Sequence, residues 1–118
     1  MSIPTDVSAI SDDYMRSLMQ LSVPFTIVVL TKTEKYANEG SDLLIWEHGR
    51  RNFALRADGR LAIVCPVRDD SDVSGVGIFT TDAAETAAIM DDDPAVKAGI
   101  FHYAIHPTRT FAGDSLPG

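Results

Sequence analysis

Three histidines, one cysteine and two runs of aspartates are the side chains of this chain best suited to chemistry. His48 is the foremost. It lies in the stretch WEHGRRNFALRADGRLAIVCP, from Trp46 to Pro66. An imidazole titrates near neutrality, so it can take or give a proton at working pH. A carboxylate beside it would fix its tautomer and strengthen it as a base. A second segment, DDDPAVKAG from Asp91 to Gly99, supplies carboxylates, and chemistry is expected between His48 and Asp93. Each residue also has a structural reading. His48 can be a half-buried packing residue between Leu44 and Leu55. Asp93-Pro94 is a common helix start, with Asp93 as N-cap and Pro94 at the first helical position. Capping and chemistry are compatible for Asp93, because a capping carboxylate keeps a free oxygen.

The other reactive residues lead to weaker sites. His102 and His106 alternate with Ala104 on one face of the last expected strand. At ~3.3 Å per residue they stand about 13 Å apart, too far to share one metal. No metal is therefore expected, and His102 is kept as a residue that lines a pocket. Cys65 falls in an apolar strand, where burial raises a thiol's pKa and makes it inert. Asp70 to Gly75 begins like a calcium loop, but Thr81 stands where a bidentate glutamate is required. Gly75-Val-Gly77 lacks the third glycine and following helix of a dinucleotide fingerprint, and no cofactor is expected. Asp91 and Asp92, at the end of a helix, read as a solvated surface.

Positioning these groups requires helices and strands whose signals are local. Val7, Ile10, Tyr14, Leu18 and Leu21 share a helical stripe, so residues 1–22 read as an N-terminal helix ended by Ser22-Val23-Pro24. FTIVVLT, from Phe25 to Thr31, reads as a strand buried on both faces. After a polar loop, Ser41 or Asp42 caps a helix from Leu43 to about Ala57. That helix is apolar on two sides. Leu44, His48 and Leu55 are expected to face a sheet, and Trp46 and Phe53 to meet the N-terminal helix. Asp58-Gly59 makes the turn into a strand from Leu61 to Val67. A third strand spans Val76 to Thr80, and Asp82 and Glu85 sit at capping-box spacing before a helix from Ala83 to Met90. Ile100 to Ile105 is the fourth strand.

The resulting order of strand, helix, strand, strand, helix, strand predicts an α+β, ferredoxin-like domain with an antiparallel four-stranded sheet and an extra N-terminal helix. Residues 1–22 form the helical extension, 23–112 the domain and 113–118 a loose tail. Helices cover one sheet face only. A bare apolar face is costly in water, so a homodimer with C2 symmetry, packed through the open sheet face, is expected.

Composition sets limits on partners. The 118 residues suit one core, and a net charge of −7 disfavours phosphate backbones, so no nucleic acid is expected. The longest apolar run, Phe25 to Leu30, is too short to span a bilayer, so no membrane is expected. The single cysteine and the missing signal-peptide pattern suit a cytoplasmic location.

From Phe25 to Phe111, about three quarters of its length, the chain resembles the YCII-related family. The likeness rests on His48 in the first helix, Arg60-Leu61 twelve and thirteen positions on, and Pro66 at eighteen. It continues with Asp93-Pro94-Ala95-Val96-Lys97-Ala98-Gly99 as the family's DP-x-V-x-AG segment, followed by a strand leading to Pro107. Residues 1–22 have no counterpart in the minimal family, and Cys65 stands where a glycine usually precedes the proline. The resemblance implies a dimeric α+β barrel and a pocket holding His48 and Asp93, in a family that includes dehydrochlorinase-like small-molecule enzymes.

Two functions follow. One is a cofactor-independent enzyme in which His48 moves a proton, Asp93 orients it and Arg51, one helical turn on, holds an anionic group of a small substrate. Isomerisation, dehydrohalogenation and hydrolysis all fit such a pair. The other is a non-catalytic ligand-binding or interaction module of the same fold.

Overall fold

A computed structural model describes residues 5–118 of the chain. Two compact units divide it. Residues 24–108 form one, and the residues up to 23 with those from 109 onward form the other. The larger unit carries the expected order of elements: strand β1 (Ser22–Lys32, which begins just before it), helix α2 (Ser41–Ala57), strands β2 (Leu61–Pro66) and β3 (Val73–Phe79), helices α3 (Ala83–Asp91) and α4 (Pro94–Lys97), and strand β4 (Phe101–Phe111), which ends just beyond it. The strands lie in the order β2-β3-β1-β4. β3 pairs antiparallel with both β1 and β2, placing Gly77 opposite Val28 on one side and Val64 on the other. This is the ferredoxin-like α+β arrangement.

β1 explains how the core is placed. Thr26, Val28 and Leu30 are buried, whereas Ile27, Val29 and Thr31 between them are half-buried. The strand was expected to be buried on both faces. It is two-faced, because a strand in this sheet has helices above one side only and successive side chains alternate. Leu55 of α2, Leu61 of β2, Phe79 of β3, Ile89 and Met90 of α3, Ala95 of α4, Ile100 and the first residue of β4, Phe101, complete the buried cluster.

Local chemistry sets the ends of the elements. Asp82 Oδ1 accepts from the Glu85 amide at 2.8 Å and starts α3, as its sequence implied. Gly59 makes the turn after α2 with φ +83°, in the left-handed region that glycine adopts without penalty. α2 departs from expectation. Gly40 is its N-cap, and the Ser41 hydroxyl donates instead to the Lys35 carbonyl at 2.7 Å. β1 and β4 also run farther than expected, through Pro24 and Pro107 respectively. Pro24 is tolerated because the ladder with β3 begins only at Thr26, so the missing N–H interrupts no bond there.

In the smaller unit, the N-terminal helix is shorter than expected. Helix α1 spans Asp12–Gln20, and residues 1–4 of the expected helix lie outside the described residues. Two side chains claim the preceding backbone. Asp6 Oδ1 accepts from the Ser8 amide at 2.9 Å, and Ser11 Oγ accepts from the Tyr14 amide at 3.1 Å, which makes Ser11 the cap. No residue of α1 is buried. In the larger unit, Trp46 and Phe53 of α2 are 70% and 67% exposed.

Candidate functional site

α2 delivers His48 to the core and α4 delivers Asp93. Asp93 is the N-cap of α4, with Pro94 in its first turn. One carboxylate oxygen, Oδ2, accepts from the amides of Ala95 and Val96 at 3.0 and 3.1 Å. The other, Oδ1, lies 2.8 Å from His48 Nδ1. Capping and pairing therefore use different oxygens of one carboxylate. His48 is 8% exposed and Asp93 1%. The Phe101 ring lies against the imidazole, with ring centroids 5.1 Å apart and planes tilted by 52°.

Burial by itself would raise the Asp93 carboxyl's pKa. The hydrogen bond from His48, its charge and the two capping amides outweigh burial and hold the pKa below the ordinary aspartate value of 3.8. Asp93 is thus an anion and only accepts. His48 Nδ1 must then carry a proton and donate it, and whenever the ring holds a single proton Nε2 is its acceptor. Asn52 Nδ2 lies 3.2 Å from Nε2, in position to donate to it.

His48 and Asn52 line a cavity of about 220 Å³ between α2 and the sheet, and Asp93 does not. The rest of the wall is largely apolar, including Val28, Leu61, Val64, Phe79, Met90 and Phe101. The floor is β3. Gly75 and Gly77 sit beside Leu30 and Val28 in the ladder and leave its helix-covered side bare. A Cβ on Gly77 would lie 3.1 Å from Leu61 Cδ1 and 3.2 Å from Phe79 Cε2, so close packing accounts for that glycine. Such an arrangement can serve as a proton acceptor, oriented from behind by a buried anion, at the wall of a small, largely apolar cavity.

No known family profile matches the chain. No curated protein matches it. Among solved structures it is similar to the 5-chloro-2-hydroxyhydroquinone dehydrochlorinase of Burkholderia phenoliruptrix in complex with 2,5-dihydroxybenzoquinone. The identity is 17% and the TM-score 0.47, over 70% of this chain and 90% of that one.

The remaining residues singled out in the sequence lie elsewhere. Arg51 is outside the cavity lining. Its Nη1 is 3.8 Å from Asp93 Oδ1 and its Nη2 3.8 Å from Asp92 Oδ2, so it faces the rear of the pair. His102 is exposed, on the face of β4 opposite Phe101, because neighbouring strand residues point to opposite sides. Among the described residues no group of three or more His, Cys, Asp or Glu is placed to hold a metal ion. No described helix is long and apolar enough to cross a membrane. Cys65 is exposed rather than buried, because β2 is an edge strand. Asp91 and Asp92 are not simply solvated. Asp91 accepts from the Tyr103 hydroxyl, and Asp92 pairs with Lys97 at 2.8 Å.

Asn52 is the site residue that sequence reasoning missed. Its signal was the i, i+4 spacing from His48, which puts the two side chains on one helical face.

The Asp93 interactions predict an acid response. A carboxylate whose pKa is lower folded than unfolded contributes stability that is complete above the ordinary value of 3.8. That stability is lost as pH falls through the lower folded value. Denaturant melts from pH 6 down to pH 2 should show stability dropping on the acid side. Asp93→Asn should flatten that drop.

Proposed function

We propose that the chain is a small-molecule enzyme of the YCII-related kind, using His48 and Asp93 for general acid–base chemistry without a cofactor. The observation that carries this reading is the 2.8 Å contact between His48 Nδ1 and the buried Asp93 carboxylate, behind a cavity wall. His48 Nε2 takes a proton from the substrate, and the imidazolium so formed is stabilised by Asp93. Return of that proton to another atom of the same substrate is an isomerisation. Departure of a halide as His48 takes the proton is a dehydrohalogenation: the C–H electron pair becomes the new double bond, the halide leaves with the carbon–halogen pair, and the imidazolium later gives its proton to water. Proton abstraction from a water whose oxygen bonds to the substrate is a hydrolysis, in which the bond to the leaving group breaks and the imidazolium returns the proton to that group. Asn52 holds Nε2 in line until a substrate hydroxyl takes its place, and Arg51 supports the pair from behind. The active form is a cytoplasmic homodimer joined through the open sheet face, where the half-buried Ile27, Val29, Val76 and Ile78 would be covered.

Nitrogen-15 NMR of the histidine rings tests the central step. In the native protein at pH 8, His48 should show a protonated Nδ1 and an unprotonated Nε2. Adding phenol as a weakly acidic probe should shift the Nε2 resonance. In Asp93→Asn the ring should become a mixture of tautomers. A native His48 protonated at Nε2 would sink the reading, because the nitrogen on the cavity side could not then accept a proton.

A further inference from the structure

We infer that the cavity at His48 is the head of a longer ligand site, whose tail runs across Gly49 into the groove beside Trp46. The inference rests on the proposed role of His48 and extends it to a class of ligand. A groove of about 850 Å³ flanks α2, lined among others by Tyr36, Asn38, Trp46, Arg50 and Phe53. It shares two lining residues with the cavity, Ile45 and Gly49, one helical turn apart on the same face. The groove and the cavity therefore meet along that edge of the helix.

Gly49 is what makes the junction informative. A glycine inside a helix is destabilising relative to alanine, so it calls for a reason. At Gly75 and Gly77 the reason is close packing, since an added Cβ would come within 3.2 and 3.1 Å of neighbouring atoms. At Gly49 an added Cβ would meet nothing within 4 Å, and its φ is not in the left-handed region. Neither packing nor backbone geometry requires the glycine. It leaves open space beside His48, where the two hollows join.

The walls define the ligand. At the head, Nε2 of the neutral imidazole accepts a hydrogen bond from a weakly acidic hydroxyl, such as that of a phenol or an enol. Along the groove, Trp46 and Phe53 present large apolar surfaces to solvent at 70% and 67% exposure. The charged residues lining the groove are Glu39, Asp42 and Arg50, and Arg50 lies 3.0 Å from Glu47, so the groove is net acidic and repels an anionic tail. The tail is therefore apolar, to lie on Trp46 and Phe53, and carries no negative charge.

Phenol and 4-hexylphenol, titrated into the full chain, test this. Two signals are read: the His48 ring resonances and the fluorescence of Trp46, the only tryptophan. Phenol should move His48 alone. Hexylphenol should move both signals with one saturation curve and bind about 100-fold more tightly, since each fully buried methylene is worth roughly fourfold and an open groove buries them in part. In Gly49→Leu, which improves helix propensity and so should fold, the ratio of the two affinities should fall below about tenfold. Equal affinities in the native protein would overturn the inference while leaving the His48 reading intact. So would separate saturation curves, or an affinity ratio unchanged in Gly49→Leu. A Trp46 emission that depends on protein concentration without ligand would also overturn it, assigning the groove to a second copy. Failure of both phenols to move His48 would instead refute the underlying reading, and the inference with it.

Discussion

Asp93→Ala is expected to lower the stability of the protein by about 3 kcal/mol, seen as a fall in melting temperature of roughly 10 °C for a chain of this size. The magnitude follows from what the carboxylate holds. Loss of an aspartate cap costs about 1 kcal/mol by itself. Here the Ala95 and Val96 amides lose their acceptor together. The His48 Nδ1 proton is left without a partner in a site where Asp93 itself is 1% exposed. A buried donor stripped of its acceptor adds about 1–3 kcal/mol. Asp93→Asn separates the contributions, because its side-chain oxygen can still accept from the two amides. It should retain the cap and lose much of the His48 interaction, so its loss should lie well below that of the alanine variant. Equilibrium urea unfolding measures both. A cost below about 1 kcal/mol for Asp93→Ala would mean that water replaces the carboxylate, and the pair could not then be a preorganised one.

The second large effect concerns rate. For whichever weakly acidic hydroxy, keto or halogenated small molecule is turned over, His48→Ala is expected to lower kcat/KM by about 10²–10⁴, the usual contribution of a positioned acid–base group. At the upper end that is about 5.5 kcal/mol of the barrier. Asp93→Asn should cost less, since it weakens the orientation of the base without removing it. The acid limb of the pH–rate profile, where the base is occupied by a proton, should vanish in His48→Ala. His48→Gln guards against a packing artefact, because it restores bulk beside Phe101 without restoring a base. If both variants fold and turn substrate over like the native chain, the proton is moved elsewhere. If no compound is turned over but ligands still bind, the chain is a binding module of the same fold.

Much of this architecture was legible residue by residue, and the reason is locality. Asp93-Pro94 marks a helix start because a cap uses its own neighbouring amides. Asp82 with Glu85, Asp58-Gly59 and the β-branched run of β1 work the same way, within a few residues of themselves. The order of elements then leaves few ways to arrange four strands, so the ferredoxin-like fold could be reached from the chain alone. His48 and Arg51 sit three residues apart on α2, and Asp93 lies 45 residues from His48. That His48 meets Asp93 at 2.8 Å, with Arg51 behind the pair, is a matter of how α2 and α4 lie together.

Other features depended on surroundings that no local pattern encodes. The apolar run of β1 could not reveal that only one of its faces lies under helices. The apolar stripe of α2 could not reveal that Trp46 and Phe53 stay exposed, because the same pattern serves packing and binding alike. Asn52 and Gly49 carry no distinctive sequence signal beyond their spacing from His48. Their importance comes from a cavity that exists only once β3 has laid its glycines beneath the helix. Short-range hydrogen bonding and chain geometry thus settle which elements form and in what order. The contacts among side chains distant in sequence decide which faces are buried, which charges meet and where space is left for a ligand.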